Sequence, residues 1–479
     1  MSLRDNAVDV LIIGAGVVGT SIARELSLLD IDVAVVERWH DVGEETSKAN
    51  SGVANCGWSA APGSLEAQLI LASAPQWEKI AEDLGVAFRR VGITMLALTE
   101  DEVKELPKWA ERAQKNGVDA HLLTGDEVSQ EAPHASTKTL AGLHIPDEGV
   151  VDSVRLSVAY AEQAALNGVR FYFSEPVKSA KNDDGRVLSV ETSRRTFRPR
   201  FVVNAAGLGA DQVSRALGGE EFTVTPRRGQ WALLDREFGA QVPGMLTGVP
   251  GKLGHGPMVL PTAHGSVLLG PTAEDQDDKL DRSTDEDGLD AVLRRCMDMM
   301  PSIDLSYVTK RFAGVRANSD PTYRIGWSES AENLLQVAGI RSTGVSASPG
   351  IGPYVTTLLW ERGLSTHAAP NPVRTLSYSS PLWQDLDCAR AAADPLGRTV
   401  ICACEKVTAA DIHQALSSPL PATSIAGVAR RTHATWGRCQ GSACLSGVSF
   451  ITSLYTGHEP WQIPYHEEGS DLGVGNTND

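Results

Sequence analysis

The spacing of apolar positions near the start of the chain predicts a strand, a helix and a second strand in close succession. Val8–Ile13 is an apolar run rich in β-branched residues and too short for a buried helix. A helical pattern follows through Leu28, and a second short apolar run covers Val33–Val36. Two strands joined by a helix in this way pair in parallel, so the pattern predicts a βαβ unit.

Further along the chain, the apolar pattern predicts both an antiparallel sheet and additional helix–strand pairs. Val224–Leu234 begins the antiparallel sheet, which continues through Met258–Thr262 and Ser266–Gly270 with His264 in the turn between these two runs. The other predicted strands are Gly92–Leu98, Phe171–Phe173, Val187–Glu191, Phe197–Arg200 and Leu334–Ile340, and the other predicted helices are Glu102–Lys115 and Ser153–Asn167.

A glycine-rich turn joins the first strand to the first helix. Gly14 suits a tight turn, Gly16 lets the backbone approach a pyrophosphate, and Gly19 lets the helix pack closely on the strand. Glu37 ends the second strand, where it is placed to accept a hydrogen bond from a ribose hydroxyl. The stretch predicts a dinucleotide site, and its acid argues against NADP. The candidate cofactor contacts in this stretch are Gly14, Gly16, Val17, Val18, Gly19, Glu37 and Arg38.

The composition and net charge of the chain limit the kinds of molecule that it is expected to bind. The chain has 479 residues, long enough for two or three domains, and a net charge of −17. This charge disfavours nucleic acid as a partner, and it means that an anionic substrate needs a local cationic pocket. The sequence contains no apolar run of membrane-spanning length and no signal-like segment before the first strand, so we expect a cytoplasmic protein.

The run from Glu45 to Leu69 is rich in small and hydroxyl residues, and it resembles the flavin-adjacent segment of glycerol-3-phosphate dehydrogenase-like flavoproteins. These proteins belong to the D-amino-acid-oxidase-like superfamily. Many relatives carry a histidine where this chain has Asn55, with a small residue in place of Cys56. The resemblance implies that the segment wraps the diphosphate and ribityl chain of FAD through Thr46, Ser47, Asn50, Ser51 and Gly52.

Other signatures of the same superfamily follow in order. Pro176-Val177 resembles the backbone contact to adenine, and Phe201–Gly207 resembles the second flavin signature, with Ala206 and Gly207 near the cofactor. The run from Gly339 to Gly352 resembles the third signature, which implies a helix start at Ser348–Gly352 that faces the flavin, and the candidate cofactor contacts in it are Gly344, Gly350 and Ile351. The resemblance covers about residues 7 to 370, and it selects FAD over NAD.

The resemblance implies an α/β fold. A Rossmann-type FAD-binding domain (GR2-like) is interleaved with an α+β antiparallel-sheet substrate domain, and a small helical iron–sulfur domain follows. The predicted FAD-binding domain comprises residues 1–75, 150–215 and 310–368, the substrate or cap domain 76–149 and 216–309, the linker 369–395, and the C-terminal domain 396–479.

Two residues are candidates for the chemistry. Arg316 lies in Phe312–Arg316, which resembles the family's glycine-arginine signature at the substrate pocket, and a guanidinium fork suits a carboxylate or phosphate. Arg316 is therefore predicted to contact both cofactor and substrate. His255, in a loop before a strand, is the candidate catalytic histidine.

The cysteines cluster near the end of the chain. Cys402 and Cys404 form a C-x-C pair, and Cys439 and Cys444 form a C-x4-C pair, whereas Cys296 and Cys388 lack partner spacing. Structural zinc usually prefers C-x2-C pairs, so the tight C-x-C favours iron–sulfur, with zinc or an empty site as alternatives. The surrounding pattern resembles the bacterioferritin-associated-ferredoxin-like [2Fe–2S] domain, which implies that these four cysteines are the cluster ligands.

Flavin plus cluster predicts an FAD-dependent dehydrogenase that oxidises a CH–OH group of a small anionic substrate. The substrate would be a polyol phosphate such as glycerol 3-phosphate, or a 2-hydroxy acid. Electrons would leave through the cluster to a quinone, an acceptor protein or a second redox subunit, and an oligomer is compatible with this scheme. Two alternatives stay open: a CH–NH dehydrogenase or oxidase acting on amino or imino acids, and an iron–sulfur or partner-assembly protein on a flavin scaffold.

Overall fold

In the computed structural model, which describes residues 6–251, 256–376, 395–467 and 469–472, the apolar runs form two large β-sheets flanked by helices. The strands are β1 (Ala7–Ile13), β2 (Val33–Val36), β3 (Val53–Ala54), β4 (Phe88–Arg90), β5 (Ile93–Ala97), β6 (His121–Thr124), β7 (Ala141–Ile145), β8 (Gly149–Val151), β9 (Arg170–Tyr172), β10 (Val177–Asp183), β11 (Arg186–Thr192), β12 (Thr196–Asn204), β13 (Thr225–Leu234), β14 (Met245–Gly248), β15 (Met258–Pro261), β16 (Val267–Gly270), β17 (Glu274–Asp275), β18 (Val308–Asn318), β19 (Arg324–Trp327), β20 (Leu334–Ala338), β21 (Val400–Cys402) and β22 (Val407–Thr408). The helices are α1 (Val17–Leu26), α2 (Leu65–Ser73), α3 (Trp77–Leu84), α4 (Glu100–Lys115), α5 (Gly125–Glu131), α6 (Ser153–Leu166), α7 (Ala210–Ala216), α8 (Arg236–Gly239), α9 (Glu286–Met299), α10 (Gly344–Glu361), α11 (Pro395–Arg398), α12 (Ala409–Leu416), α13 (Ile425–Thr432) and α14 (Leu445–Thr456).

The first sheet has a parallel core built on β1. Strand β1 pairs in parallel with β2 on one side and β12 on the other, and the sheet extends in parallel to β9 and β20. Helix α1 packs against α6 and α10, and its apolar side joins a core that includes Ile22, Leu26, Val35 and Ile351. Because both faces of such a sheet are covered, its strands are continuous apolar runs, as the sequence pattern predicted. The predicted Rossmann-type architecture is confirmed.

The second sheet is the predicted antiparallel sheet, with strand order β17-β13-β16-β15-β14-β5-β7-β6 and β18 on β13. Only the pairing of β14 with β5 is parallel among its described pairs. The prediction placed residues 310–318 in the FAD-binding domain, but the structure differs here. Strand β18 pairs with β13 along the whole of Thr225–Leu234, which fixes it in the cap sheet.

The C-terminal unit consists of the β21–β22 ribbon and three helices, α12 to α14, around a small core that includes Ile412, Ile425 and Val448. Thr408 is the N-cap of α12, because its hydroxyl accepts from the Asp411 amide while the Asp411 carboxylate accepts from the Thr408 amide. Most of the predicted linker, residues 377–394, lies outside the described residues.

Buried ion pairs dock the C-terminal unit onto the loop after β2. Arg430 places one nitrogen 2.7 Å from the Asp41 carboxylate and another 2.7 Å from Glu44, and Arg431 lies 2.8 Å from Asp41. Burial alone would raise the pKa of Asp41, but the charges and hydrogen bonds of the two arginines hold it well below its usual range. Separating the C-terminal unit from this loop would leave buried charges without partners, so these ion pairs fix the position of the unit.

We predict that Arg430→Met destabilises the protein by about 3–5 kcal/mol, because Asp41 and Glu44 then lose a buried partner. The matched control is Arg438→Met, since Arg438 pairs with Asp235 and Glu237 at the surface. Thermal unfolding should show a lowered midpoint for Arg430→Met and almost no change for Arg438→Met. Similar small shifts for both variants would contradict the docking role.

Candidate functional site

The glycine-rich turn between β1 and α1 is in close backbone contact with the turn after β12. Gly14 has φ +107°, and a Cβ there would lie 2.5 Å from the carbonyl oxygen of Ala205. A Cβ on Gly19 would lie 2.0 Å from the carbonyl oxygen of Gly14. Both positions therefore exclude a side chain, and the two glycines let the N-terminus of α1 lie directly against the turn after β12.

Glu37 faces this turn at the end of β2. One carboxylate oxygen accepts from the Ala15 amide at 2.7 Å and the other from the Trp39 amide at 2.9 Å. Burial raises the pKa of Glu37, and these two hydrogen bonds oppose that rise. The carboxylate thus holds the turn and the loop after β2 together, and it also lies in the wall of a cavity.

The cavity, of about 260 Å³, brings together residues that are far apart in the sequence. It runs along the carboxyl ends of the parallel strands, where α/β folds bind their ligands. The predicted cofactor residues that line it are Gly14, Gly16, Glu37, Arg38, Thr46, Ser47, Val177, Ala206 and Gly207. The other predicted cofactor residues, Val17, Val18, Gly19, Asn50, Ser51, Gly52, Arg316, Gly344, Gly350 and Ile351, do not line this cavity. Glycine backbone and hydroxyl donors around a helix N-terminus fit the diphosphate end of FAD.

The segment after Glu45 is held between α1 and the cap sheet. The Ser47 hydroxyl accepts from the Val17 amide at 2.9 Å, and the Thr46 hydroxyl donates to the Val315 carbonyl at 2.6 Å. A Cβ on Gly314 would lie 1.8 Å from the Ala49 carbonyl oxygen, so β18 runs directly beside this segment. The predicted cofactor segment and the strand that carries Arg316 are therefore packed together.

Asn50 shapes the next turn. Its side-chain amide donates to the Ser47 carbonyl at 2.8 Å, and its side-chain oxygen accepts from the Gly52 amide at 2.8 Å. Gly52 has φ +68°, and a Cβ there would lie 2.5 Å from the Val151 carbonyl oxygen. Asn50 and Gly52 thus fix the path of the segment, and Ser51 lies between them.

Helix α10 begins at Gly344, four residues before the predicted start, so that part of the prediction is wrong. Gly350 lies inside the helix, where its amide donates to the Ser73 hydroxyl and its Cα packs on the Leu69 carbonyl of α2. Ile351 is fully buried. Prolines at positions 349 and 353 imitate helix-start chemistry, but the apolar core of the FAD-binding unit covers this part of α10.

A buried carboxylate that sequence reasoning missed lies beside Asn55. Glu148 accepts from the Asn55 side-chain amide at 2.8 Å and from the Cys56 amide at 2.9 Å. Burial raises the pKa of Glu148 to about 7 against the opposing hydrogen bonds. The side chain of Asn55 is therefore an amide tied to a carboxyl group. The only sequence signal was an acid in the turn before β8.

Arg316 projects from β18 with its guanidinium packed over Gly229 of β13, where a Cβ would lie 2.5 Å from one guanidinium nitrogen. That nitrogen donates to the Thr272 carbonyl at 3.2 Å. In the described part of the chain, no carboxylate forms an ion pair with Arg316. Burial, with the nearby charges of Arg227 and Arg341, lowers the pKa of Arg316 to about 10. Among the described residues, Arg316 is thus a largely buried cation that hydrogen-bonds to a backbone carbonyl.

His255 and His264 are the two histidines singled out from the sequence, and of these the structure describes only His264. His255 lies outside the described residues, so its catalytic role stays a prediction. His264 lies in the predicted turn between β15 and β16, and its ring nitrogen is 3.0 Å from the Asp152 carboxylate.

The four clustered cysteines meet at one end of the C-terminal unit. Cys402 ends β21 beside Cys444, which precedes α14, and Cys404 lies beside Cys439. A Cβ on Gly437 would lie 2.2 Å from the Cys404 Cβ, so the two cysteine loops are in direct contact. Four thiols in this arrangement fit a [2Fe–2S] cluster. Cys296 is buried in the cap core, and Cys388 lies outside the described residues.

These features define a flavoprotein with a thiol-rich electron-transfer domain, and comparison with known proteins agrees. Residues 9–358 match the family of FAD-dependent oxidoreductases named DAO, and residues 400–451 match the BFD-like [2Fe–2S] binding domain. The chain belongs to the DAO family of FAD-dependent oxidoreductases. It is a flavoprotein oxidoreductase with FAD as its cofactor and a [2Fe–2S]-binding domain at its C-terminal end.

Several relatives resemble the whole chain or most of it. Glycerol 3-phosphate dehydrogenase of Caloramator mitchellensis is 34% identical over 475 residues, which cover 98% of each chain. Anaerobic glycerol-3-phosphate dehydrogenase subunit A1 of Haloferax volcanii is 24% identical over 91% of this chain and 81% of its own. The structure of dithionite-reduced L-alpha-glycerophosphate oxidase from Mycoplasma pneumoniae with FAD bound matches with a TM-score of 0.73 and 28% identity. It covers 78% of this chain and 99% of its own.

The described helices were also considered as membrane spans. None of them combines the length and the apolar character needed to cross a bilayer.

The raised pKa of Glu148 predicts a pH dependence of stability. The folded protein holds a proton that the unfolded chain, with a pKa of 4.5, releases as the pH rises toward 7. This contribution is complete below the unfolded pKa and is lost as the pH rises through the folded pKa. Glu148→Gln does not ionise, so the wild type should exceed it in thermal midpoint most at about pH 5 and least at about pH 8.

Glu78→Gln is the matched control for this measurement, because the hydrogen bond from Arg90 lowers the pKa of Glu78 and keeps it ionised across the range. The difference in thermal midpoint between Glu78→Gln and the wild type should not change with pH. If the difference in thermal midpoint between Glu148→Gln and the wild type were equally constant, the claim that Glu148 is buried and protonated would be contradicted.

Proposed function

We propose that this protein is a glycerol-3-phosphate dehydrogenase that oxidises the secondary alcohol of its substrate and passes the electrons through its cluster to an acceptor other than oxygen. The observation that carries the proposal is the buried guanidinium of Arg316, which has no carboxylate partner in the described chain. The near-full-length relative from Caloramator mitchellensis, named as a glycerol 3-phosphate dehydrogenase, supports the same substrate.

A phosphate suits the surroundings of Arg316. The guanidinium fork binds phosphate or carboxylate oxygens with two parallel hydrogen bonds, and burial makes such a charged pair stronger than at the surface. Arg227 and Arg341 lie near enough for their charges to lower the pKa of Arg316. Each of them pairs with a carboxylate, Asp275 and Glu66 respectively, so the positive potential here is mainly that of Arg316 itself. In a chain of net charge −17, this local potential gives an anionic substrate a place to bind.

The FAD-binding residues that we propose are those of the cavity and the segment beside it. The glycine turn and the N-terminus of α1 would take the diphosphate, Glu37 the ribose, and Val177, Ala206 and Gly207 the adenosine side. Thr46 to Gly52 would follow the ribityl chain toward β18, because this segment already packs on that strand. When bound, FAD accepts two electrons as a hydride and the cluster carries electrons singly.

Arg316 would then set the position of the substrate. It lies on β18, which contacts the FAD-binding segment through Gly314 and Val315, so an anion held by the guanidinium is held beside the cofactor segment. Fixing the anionic end in this way orients the carbon to be oxidised and lowers the entropic part of the barrier. Binding energy from the phosphate is thus used at the reacting carbon.

We propose that Cys402, Cys404, Cys439 and Cys444 hold the cluster and that a redox partner binds close to it. Helix α14 starts directly after Cys444 and exposes the apolar side chains of Phe450, Leu454 and Tyr455. Exposed apolar groups of this size mark interaction surfaces, which supports a protein acceptor or a second redox subunit. A cytoplasmic location stays a prediction from the sequence.

We predict that Arg316→Ala lowers kcat/KM for glycerol 3-phosphate by more than about tenfold, given the roughly 2–5 kcal/mol expected of a buried paired charge. Anaerobic bleaching of the flavin on addition of glycerol 3-phosphate measures this rate. Glycerol, which lacks the phosphate, should reduce wild type and variant equally slowly. The control is Arg311→Ala, because Arg311 is exposed on the same strand. An unchanged rate in Arg316→Ala would remove Arg316 from the pocket and with it the main support for the substrate.

We predict that Cys439→Ser abolishes the cluster while FAD stays bound, because the cysteines and the FAD cavity belong to different structural units. Iron and sulfide assays together with the visible spectrum measure both cofactors. Cys296→Ser is the control, since that buried thiol donates to the Met258 carbonyl in the cap core. A normal iron content in Cys439→Ser would overturn the ligand assignment.

A further inference from the structure

Three side chains from three parts of the fold converge outside the FAD cavity and the cysteine cluster. Asp152 caps the N-terminus of α6 in the FAD-binding unit, His264 lies in the β15–β16 turn of the cap sheet, and His433 ends α13 in the C-terminal unit. One carboxylate oxygen of Asp152 lies 3.0 Å from Nε2 of His264 and 3.0 Å from Nε2 of His433. The three potential ligand atoms all lie within 4.8 Å of one another.

Neighbouring groups fix the orientation of these side chains. The other carboxylate oxygen of Asp152 accepts from the Arg155 amide at 3.0 Å. The ring of His433 stacks on Trp436 with centroids 5.3 Å apart and planes at 16°, and it meets the ring of His264 edge to face at 4.5 Å. Supporting contacts of this kind are what hold metal ligands in place in proteins.

We propose that Asp152, His264 and His433 form a binding site for a divalent metal ion of the zinc type. Two imidazoles and one carboxylate are a set that zinc prefers, and ligand atoms around tetrahedral zinc lie about 3.3 Å apart. The two 3.0 Å separations from Asp152 are close to this spacing, and all three ligand atoms lie within 4.8 Å of one another. The site goes beyond the proposed function and does not depend on it.

The cavity beside Asp152, His264 and His433 favours binding of a cation. The three side chains line a cavity of about 450 Å³ between the C-terminal unit and the rest of the protein, which leaves room for a water or another fourth ligand. Six carboxylates and four cationic side chains line this cavity, so its balance of charge is negative. Glu405, in the same wall, lies close enough to His433 to raise its pKa. This environment attracts a positive ion.

A metal here would join the three structural units at one point. The cap sheet, the FAD-binding unit and the C-terminal unit each contribute one ligand, so the ion would hold the C-terminal unit against the other two. Binding only to this docked arrangement would stabilise it by mass action.

The test uses the holoenzyme with its flavin and about two irons per chain, treated with a mild chelator and then titrated with zinc. We expect one zinc per chain beyond the iron, a higher thermal midpoint when zinc is present, and an X-ray absorption spectrum with nitrogen and oxygen ligands at about 2.0–2.1 Å. Sulfur ligands at about 2.3 Å would place the zinc at the cysteines instead and would overturn the proposal. Failure to retain zinc would also overturn it.

His264→Gln and His433→Gln should each lose the zinc while keeping flavin and iron. The matched control is His121→Gln, because His121 makes the same 3.0 Å contact with a carboxylate, Asp119, at the surface, and among the described residues it is not part of a group of three converging ligand atoms. Zinc retained at one per chain in both His264→Gln and His433→Gln would contradict the site. If a variant fails to fold, the X-ray absorption spectrum of the zinc-loaded wild type still distinguishes nitrogen and oxygen ligands from sulfur ligands.

Discussion

The architecture depends on the close approach of two backbone turns, the one between β1 and α1 and the one after β12. Gly14, Gly19 and Ala205 meet at distances that leave no room for a Cβ on either glycine. This contact brings the N-terminus of α1 to the carboxyl ends of the parallel strands, where the cavity forms. The helix end, the acid of β2 and the segment after Glu45 can share one ligand only because the turns are this close.

The loop between Glu37 and Ser47 contacts both the FAD-binding unit and the C-terminal unit. At one end Glu37 holds the glycine turn, and at the other Ser47 accepts from the first turn of α1. Between them Asp41 and Glu44 bind the arginines of α13. Burial alone would raise the pKa of Glu44, but His40, Arg430 and Lys48 together lower it to about 2. The residues proposed to bind FAD and those that dock the C-terminal unit therefore belong to one short piece of chain, which couples the geometry of the two.

Short-range patterns predicted the fold well, and long-range contacts account for what they missed. The βαβ unit and the hairpin around His264 follow from patterns within short stretches of the sequence, and both are present. Strand β18 was assigned to the other unit because its motif resembles a flavin signature, whereas its pairing with β13 decides its place. Glu148, and the meeting of Asp152 with His264 and His433, depend on contacts between distant segments that no local pattern encodes.

The central claim is that substrate electrons pass from the flavin to the cluster on one chain. The most direct test is electron paramagnetic resonance of the anaerobic holoenzyme, frozen after addition of glycerol 3-phosphate. If electrons follow this route, the flavin bleaches and the signal of a reduced [2Fe–2S] cluster appears in the same sample. Bleaching without a cluster signal, in protein that contains the full complement of iron, would contradict it.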